Sequence, residues 1–196
     1  MTTLANFPGL LEAFFTDRLM RQRQASPHTI ASYRDTFRLL LAFVSLRLKK
    51  APSALSLDDL DAPLIGAFLD YLERERGISA RTRNVRLAAI HSFFKYAAFH
   101  QPEHGALIQR VLAMPSKRYD KSAIAFLSRL EIDALVAAPD QQTWIGRRDR
   151  ALLLLDVQSG LRVSELVGLR CQDVVLGAGA HVRCQGKGRK ERCTPL

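Results

Sequence analysis

Apolar residues recur at steps of three and four through the first half of the chain, the spacing of one face of a helix packed on other helices. Over residues 7–24 that face holds Leu11, Phe14, Phe15 and Leu19. A second helix opens with Ser26 as N-cap and Pro27 at its first position, where a missing N–H costs nothing, and its stripe is Ile30, Tyr33, Phe37, Leu40, Val44 and Leu48. Asp61 can cap a third helix bearing Ile65, Phe68 and Leu72, which Gly77 ends. Ser79 caps a fourth, with Leu87, Ile90, Phe94 and Ala97 as its apolar stripe. A short fifth helix fits residues 105–113. The pattern predicts a four- to five-helix domain over residues 1–113.

Residues 114–123 carry Pro115 and the charges Lys117, Arg118, Asp120 and Lys121 without periodicity, and read as a basic linker. A second domain is expected over 124–196. Ser128 and Glu131 match a capping box at a helix start. The next helix runs from about Thr143 to Ser159; its apolar run 151–155 predicts burial, and Gly160 supplies the stop. A short helix over 163–169 follows. The texture then changes: residues 173–176, 181–184 and 191–196 alternate with Gly177/Gly179 and Gly186/Gly188, which predicts a small antiparallel sheet of three short strands. The aromatics Trp144, Phe14, Phe37, Phe68 and Phe94 stand at helical spacing and are read as core.

Composition narrows the class. In 196 residues, 47% are hydrophobic, against only 11 Gly and 8 Pro, which excludes a disordered or collagenous chain. Lys and Arg number 29 against 19 Asp and Glu, a net charge of +10, and residues 1–50 hold 8 basic and 3 acidic side chains. Such charge favours a polyanionic partner through counterion release, although an ordinary basic surface accounts for it equally well. The three cysteines, Cys171, Cys184 and Cys193, lack zinc or disulfide-framework spacing and fit reduced, cytoplasmic thiols. No apolar run approaches membrane-spanning length and the N-terminus carries no export signal, so neither membrane insertion nor export is expected. His100 and His104 flank Pro102 with no further ligands nearby, and no metal site is expected. The glycine pairs complete neither nucleotide-binding pattern.

The informative stretch is Gly160-Leu161-Arg162-Val163-Ser164-Glu165-Leu166, followed by Gly186-Lys187-Gly188-Arg189-Lys190-Glu191-Arg192. Arg162 opens a short helix, and its planar fork suits two hydrogen bonds to one phosphate. Glu165, three residues on, can hold it; an ordinary surface i, i+3 ion pair is the alternative. Lys187, between two glycines at a hairpin tip, could protonate a leaving oxygen, with a solvated lysine or the competing Lys190 as alternatives. The pairing of these two runs behind a helical domain resembles the tyrosine recombinase (phage integrase) family, especially its Xer and integron or transposon members. The segments Ser26-Pro27-His28-Thr29-Ile30-Ala31-Ser32-Tyr33-Arg34, Arg81-Thr82-Arg83-Asn84 and Phe93-Phe94-Lys95-Tyr96 are similar to that family's core-binding domain.

The resemblance implies a mainly α protein: a SAM-like core-binding domain, then the helices and small sheet that open an α+β catalytic domain. It implies site-specific recombination or integration on double-stranded DNA, with further recombinase protomers as partners, a cytoplasmic, nucleoid-associated location, and no metal or other cofactor. Arg162 and Lys187 are the expected catalytic residues, supported by Glu165. Arg34, Arg38, Arg81, Arg83, Arg86, Lys117, Arg118 and Lys121 are the expected DNA contacts. In the family a His-x-x-Arg motif and the nucleophilic tyrosine follow the lysine hairpin, whereas Tyr33, Tyr71, Tyr96 and Tyr119 all precede Arg162. The chain is therefore read as C-terminally shortened, with no nucleophile of its own and inactive alone. Two roles stay open: a recombinase whose sequence is cut short, and a non-catalytic fragment that occupies recombination sites or modulates an intact copy. A helix-turn-helix regulator would leave the arginine–carboxylate and lysine-hairpin motifs without a purpose.

Overall fold

The computed structural model describes residues 6–120, 123, 125–186 and 191–196. The chain is mainly helical with one small sheet, and divides into two compact units, Met1–Lys121 and Ser122–Leu196.

In the first unit, helix α1 (Phe7–Ala13) is capped by Asn6, whose side chain accepts from the Gly9 N–H. The expected single helix continues differently from there. Residues Phe14–Gln22 take wider π-helical turns, and the Arg23 N–H bonds the carbonyl of Arg18. Phe14 and Leu19, five residues apart, are both fully buried. An i→i+5 turn stacks such a pair on one face, whereas α-helical turns would splay them apart. Helix α2 (Pro27–Leu48) starts on Ser26, α3 (Ala62–Arg74) on Asp61 and α4 (Ala80–His100) on Ser79, each cap side chain accepting the N–H three residues on. Helix α5 (Gly105–Leu112) closes the unit. The core is a continuous cluster around Phe14, whose ring centroid lies 5.5, 5.6 and 5.7 Å from those of Phe15, Phe93 and Tyr96. Leu55, Leu57 and Leu60, on short turns between α2 and α3, complete it.

The second unit contains α6 (Arg129–Ala137), α7 (Trp144–Ser159), α8 (Val163–Leu166), and strands β1 (Val174–Val175), β2 (His181–Gln185) and β3 (Glu191–Pro195). Ser128 and Glu131 form the expected capping box, and Gly160, at φ +58°, ends α7 in the left-handed conformation that glycine adopts without penalty. The sheet is antiparallel in the order β1-β2-β3, with Val174 opposite Val182 and Cys184 opposite Arg192. Its core is small: Leu161, Val182 and Cys184, flanked by Leu155, Leu166, Leu169 and Val174.

Two expectations about burial are corrected here. Trp144 is 67% exposed and carries the Arg148 guanidinium 5.5 Å over its ring, so it is not core. The run 151–155 on α7 is half-buried or exposed, with Leu154 outward, because within this unit only Leu155 reaches the Leu161–Val182 cluster. Leu176, Val163 and Val167 are likewise exposed.

Candidate functional site

Arg162 is the N-cap of α8, held in extended backbone conformation directly after the Gly160 turn and the buried Leu161. Its neighbour on the helix, Glu165, is the N3 residue, and the carboxylate turns back to accept the Arg162 N–H at 2.8 Å. The same carboxylate accepts Arg162 Nη1 through its other oxygen at 2.9 Å. A third donor arrives from the sheet: Arg192 Nη2, on β3, reaches Glu165 Oε2 at 2.7 Å. Arg192 Nε also donates to Cys184 Sγ across the strand pair at 3.2 Å.

Burial sorts the three charges. The Glu165 side chain is 4% exposed, Arg192 42% and Arg162 63%. The anion is enclosed while both cations keep faces to solvent, so the trio carries one net positive charge. The backbone N–H of Arg162 is the largest influence holding the Glu165 carboxyl below its ordinary value; partial burial opposes it, and the two guanidiniums add to it. Arg192 is pushed above its ordinary value, first by its bond to Cys184 and then by the charge of Glu165. An exposed guanidinium fixed by an ionised carboxylate at a helix start is a preorganised donor for a phosphate or another oxyanion. Beside the trio lies a cavity of about 550 Å³ lined by Glu165, Asp173, Arg183, Cys184, Glu191 and Arg192, among others.

The structure brings Arg162 and Glu165 together as expected from their spacing. Lys187, expected as the second catalytic group, and its competitor Lys190 lie outside the described residues. Arg192, the last residue of the informative stretch, and Cys184, read as a reduced thiol, were not expected as site residues. The signal for them was strand alternation: a hairpin that pairs Gln185 with Glu191 places residue 192 opposite Cys184.

The basic residues expected to meet a polyanion separate into three groups. Arg34 and Arg38 are exposed on α2, beside an apolar groove of about 530 Å³ formed with Phe7, Leu11, Phe15 and Leu41. Arg81, Lys117 and Arg118 are exposed, and Lys117 and Arg118 line a cleft with Asn84, one helical turn from Arg81. The Asn84 side chain holds the backbone of Lys117 from both sides, donating to its carbonyl at 2.8 Å and accepting its N–H at 2.9 Å. The third group, buried Arg83 and half-buried Arg86, is engaged within the unit. Arg83 is buried and paired with Glu73 of α3, Nε to Oε2 3.4 Å, while Arg86 reaches across to α2, donating to the Ser32 carbonyl and the buried Thr36 hydroxyl at 3.2 and 3.0 Å. Both are spent on packing. Their places on α4 explain why: Arg83 stands on one row with Leu87, Ile90 and Phe94, and Arg86 on one with Ile90, Phe93 and Ala97. Lys121 lies outside the described residues.

Among the described residues, no group of three His, Cys, Asp or Glu is placed to hold a metal ion, and no helix is long and apolar enough to cross a membrane. Cys171, Cys184 and Cys193 are not joined by a disulfide.

Comparison with known proteins places each unit. Residues 12–101 match the family described as phage integrase, N-terminal SAM-like domain, and residues 125–196 match the phage integrase family. The protein y4rC of Sinorhizobium fredii (strain NBRC 101917 / NGR234), whose name describes an integrase/recombinase, is 64% identical over 100% of this chain and 59% of its own length. The protein y4rD of the same strain is 46% identical over 95% of the chain and 67% of its own length. The tyrosine recombinase XerC of Rhodospirillum centenum (strain ATCC 51521 / SW) is 36% identical over 91% of the chain and 52% of its own. In fold, the chain is similar to the XerH site-specific recombinase in its post-cleavage complex with palindromic difH substrate, at TM-score 0.62 and 22% identity, covering 89% of this chain and 50% of that one. The chain thus spans between half and two thirds of the length of these relatives. With a phage integrase match on each of its two units and close relatives along nearly all its length, the chain belongs to the phage integrase family of tyrosine recombinases.

Proposed function

We propose that this chain serves site-specific DNA recombination, gripping duplex DNA with its first unit and presenting Arg162 to a backbone phosphate with its second. The observation that carries the reading is the Arg162–Glu165 arrangement: a buried carboxylate fixing an exposed guanidinium at a helix start. In recombination by this family, a tyrosine hydroxyl attacks a DNA phosphodiester, the phosphorus–oxygen bond to the 5′-hydroxyl breaks, and a 3′-phosphotyrosyl link conserves the bond energy. A later 5′-hydroxyl reverses the step. Arg162 donates to the nonbridging oxygens as charge builds on them, and Lys187 supplies the proton for the leaving oxygen. Arg81, Lys117 and Arg118, exposed around the cleft at Asn84, hold the duplex in this reading, with Lys121 beside them in sequence. Arg34 and Arg38 are secondary contacts on another part of the unit.

A second role is favoured by where the tyrosines stand. All four belong to the first unit, and Tyr96 is 6% exposed with its hydroxyl pushed above its ordinary value, chiefly by burial. By themselves these 196 residues therefore bind recombination DNA, occupying sites or modulating an intact recombinase, without forming a covalent link. The test is a salt titration of duplex affinity together with a denaturing gel. Each phosphate contact contributes a slope of about 0.9 log units per log unit of salt. A salt-sensitive complex with no covalent adduct is expected. A flat titration refutes the DNA reading, and an adduct refutes the absence of a nucleophile.

A further inference from the structure

Of the two arginines gathered at Glu165, Arg192 has no part in the chemistry assigned above. Its geometry is nevertheless specific. One end of the fork holds Cys184 Sγ on β2 at 3.2 Å, and the other holds Glu165 Oε2 at 2.7 Å, the same oxygen that accepts the Arg162 N–H. The remaining oxygen, Oε1, takes Arg162 Nη1. A carboxylate is planar, so holding Oε2 from two directions restricts the rotation of the group and with it the direction in which Oε1 meets Arg162 Nη1. Cys184 is in turn buried beside Val182 in the small core of this unit, which anchors the fork at its far end.

We propose that Arg192 is a positioning residue for Arg162, acting through Glu165 and tying the β2–β3 pair to the start of α8. This rests on reading Arg162 as the phosphate donor. Glu165 alone could hold Arg162 in any of several carboxylate rotations; the guanidinium of Arg192 selects one. The relay also places the two expected catalytic elements under one constraint, because β2 and β3 are the strands that flank residue 187. A shift of the hairpin then reaches Arg162 through one shared carboxylate. A lysine at position 192 could keep the charge beside Glu165, but a point donor cannot hold Cys184 and Glu165 at once.

The test uses the whole 196-residue chain and reads Arg162 directly, by nitrogen-15 NMR of guanidinium rotation. Loss of one charge-assisted hydrogen bond should speed the rotation of Arg162 about tenfold in R192A, toward the rate in E165Q, with R192K between R192A and the unaltered chain. Backbone amide spectra of β2 report whether R192A keeps the fold; should it not, R192K carries the same comparison. In parallel, duplex affinity is measured for R162A, R192A and the double variant. If Arg192 acts through Arg162, the double variant binds no more weakly than R162A. Unchanged Arg162 rotation in the folded variant, or additive losses in affinity, overturns the proposal. A chain that binds no duplex overturns the functional reading instead, and the rotation measurement still decides the role of Arg192.

Discussion

Replacing Glu73 with alanine should destabilise the first unit far more than replacing the arginine it faces. Glu73 on α3 holds Arg83 of α4 at 3.4 Å and Lys117 at 2.6 Å, and the Arg83 side chain is only 8% exposed against 19% for Glu73. Removing the carboxylate leaves a guanidinium charge enclosed between two helices. Breaking a buried pair from one side costs about 3–5 kcal/mol, and the partial exposure of Glu73 places this case near 3. At a urea dependence of about 2 kcal/mol per molar, the unfolding midpoint should fall by about 1.5 M. Arg83→Leu removes the charge together with its desolvation and leaves Glu73 paired with Lys117, so a loss of about 1 kcal/mol or less is expected. Far-UV circular dichroism follows the helices, most of whose residues belong to the first unit. The same variants separate packing from binding. Arg81→Ala should leave the midpoint in place and reduce the salt slope of duplex binding by about 0.9, whereas Arg83→Leu should leave the slope in place. The reasoning fails if Glu73→Ala unfolds at the unaltered midpoint, or if Arg83→Leu loses a phosphate contact.

Other outcomes follow from single contacts. A Cβ at Gly146 would stand 1.9 Å from the Asp140 carbonyl oxygen, so Gly146→Ala should disrupt the turn before α7 and raise amide exchange across α6 and α7. Trp144→Ala, at a residue 67% exposed, should change stability by no more than about 0.5 kcal/mol in urea unfolding; a larger loss would mean that Trp144 is packed. His91 donates from Nε2 to the Val111 carbonyl at 3.0 Å as the neutral ring, and burial, its largest influence, lowers its pKa. Its contribution is therefore complete above the ordinary histidine value and lost as pH falls through the lower folded value, so amide protection of α5 should weaken on acidification; a loss on alkalinisation would reverse the sign. Glu165 is also depressed, first by the Arg162 N–H. Its carboxyl carbon-13 titration should fall below the ordinary glutamate range, with α8 keeping its start until the pH drops through that lower value.

What could be read from sequence was what depends on near neighbours. Ser26, Asp61, Ser79 and Ser128 cap the helices they were expected to cap, because a side-chain oxygen reaching an N–H three residues away is a local matter. The three strands were legible for a similar reason, since glycine turns punctuate them. Exposure was not legible in the same way. The run 151–155 looks like core in any context, yet burial depends on what the fold brings against it, and the small Leu161–Val182 cluster engages Leu155 alone among those five. Arg83 and Arg86 differ from first appearance in the opposite direction, being engaged within the unit rather than free on its surface. Charge suggested a surface, while their helical rows, shared with Leu87, Ile90 and Phe93, pointed inward.

At the candidate site the division between legible and hidden falls within one side chain. That Glu165 would meet Arg162 followed from a spacing of three at a helix start, and the reach to the Arg162 N–H is the ordinary work of an N3 glutamate. Its third bond, to Arg192, crosses 27 residues and exists only because the hairpin register sets β3 beside α8. One carboxylate thus closes the helix start, aims the exposed guanidinium and receives the sheet. Those tasks cannot be separated by substitution at Glu165 itself, since Glu165→Gln weakens all three together. They can be separated at the donors: Arg162 keeps the exposed guanidinium that the proposed reading turns to an oxyanion, Arg192 carries the tie to the sheet, and Cys184 anchors that tie without touching the carboxylate. On the proposed reading, duplex affinity should fall most in Arg162→Ala, less in Arg192→Ala and least in Cys184→Ala, the order of their bonded distance from the Arg162 donor; equal losses in all three would refute the relay.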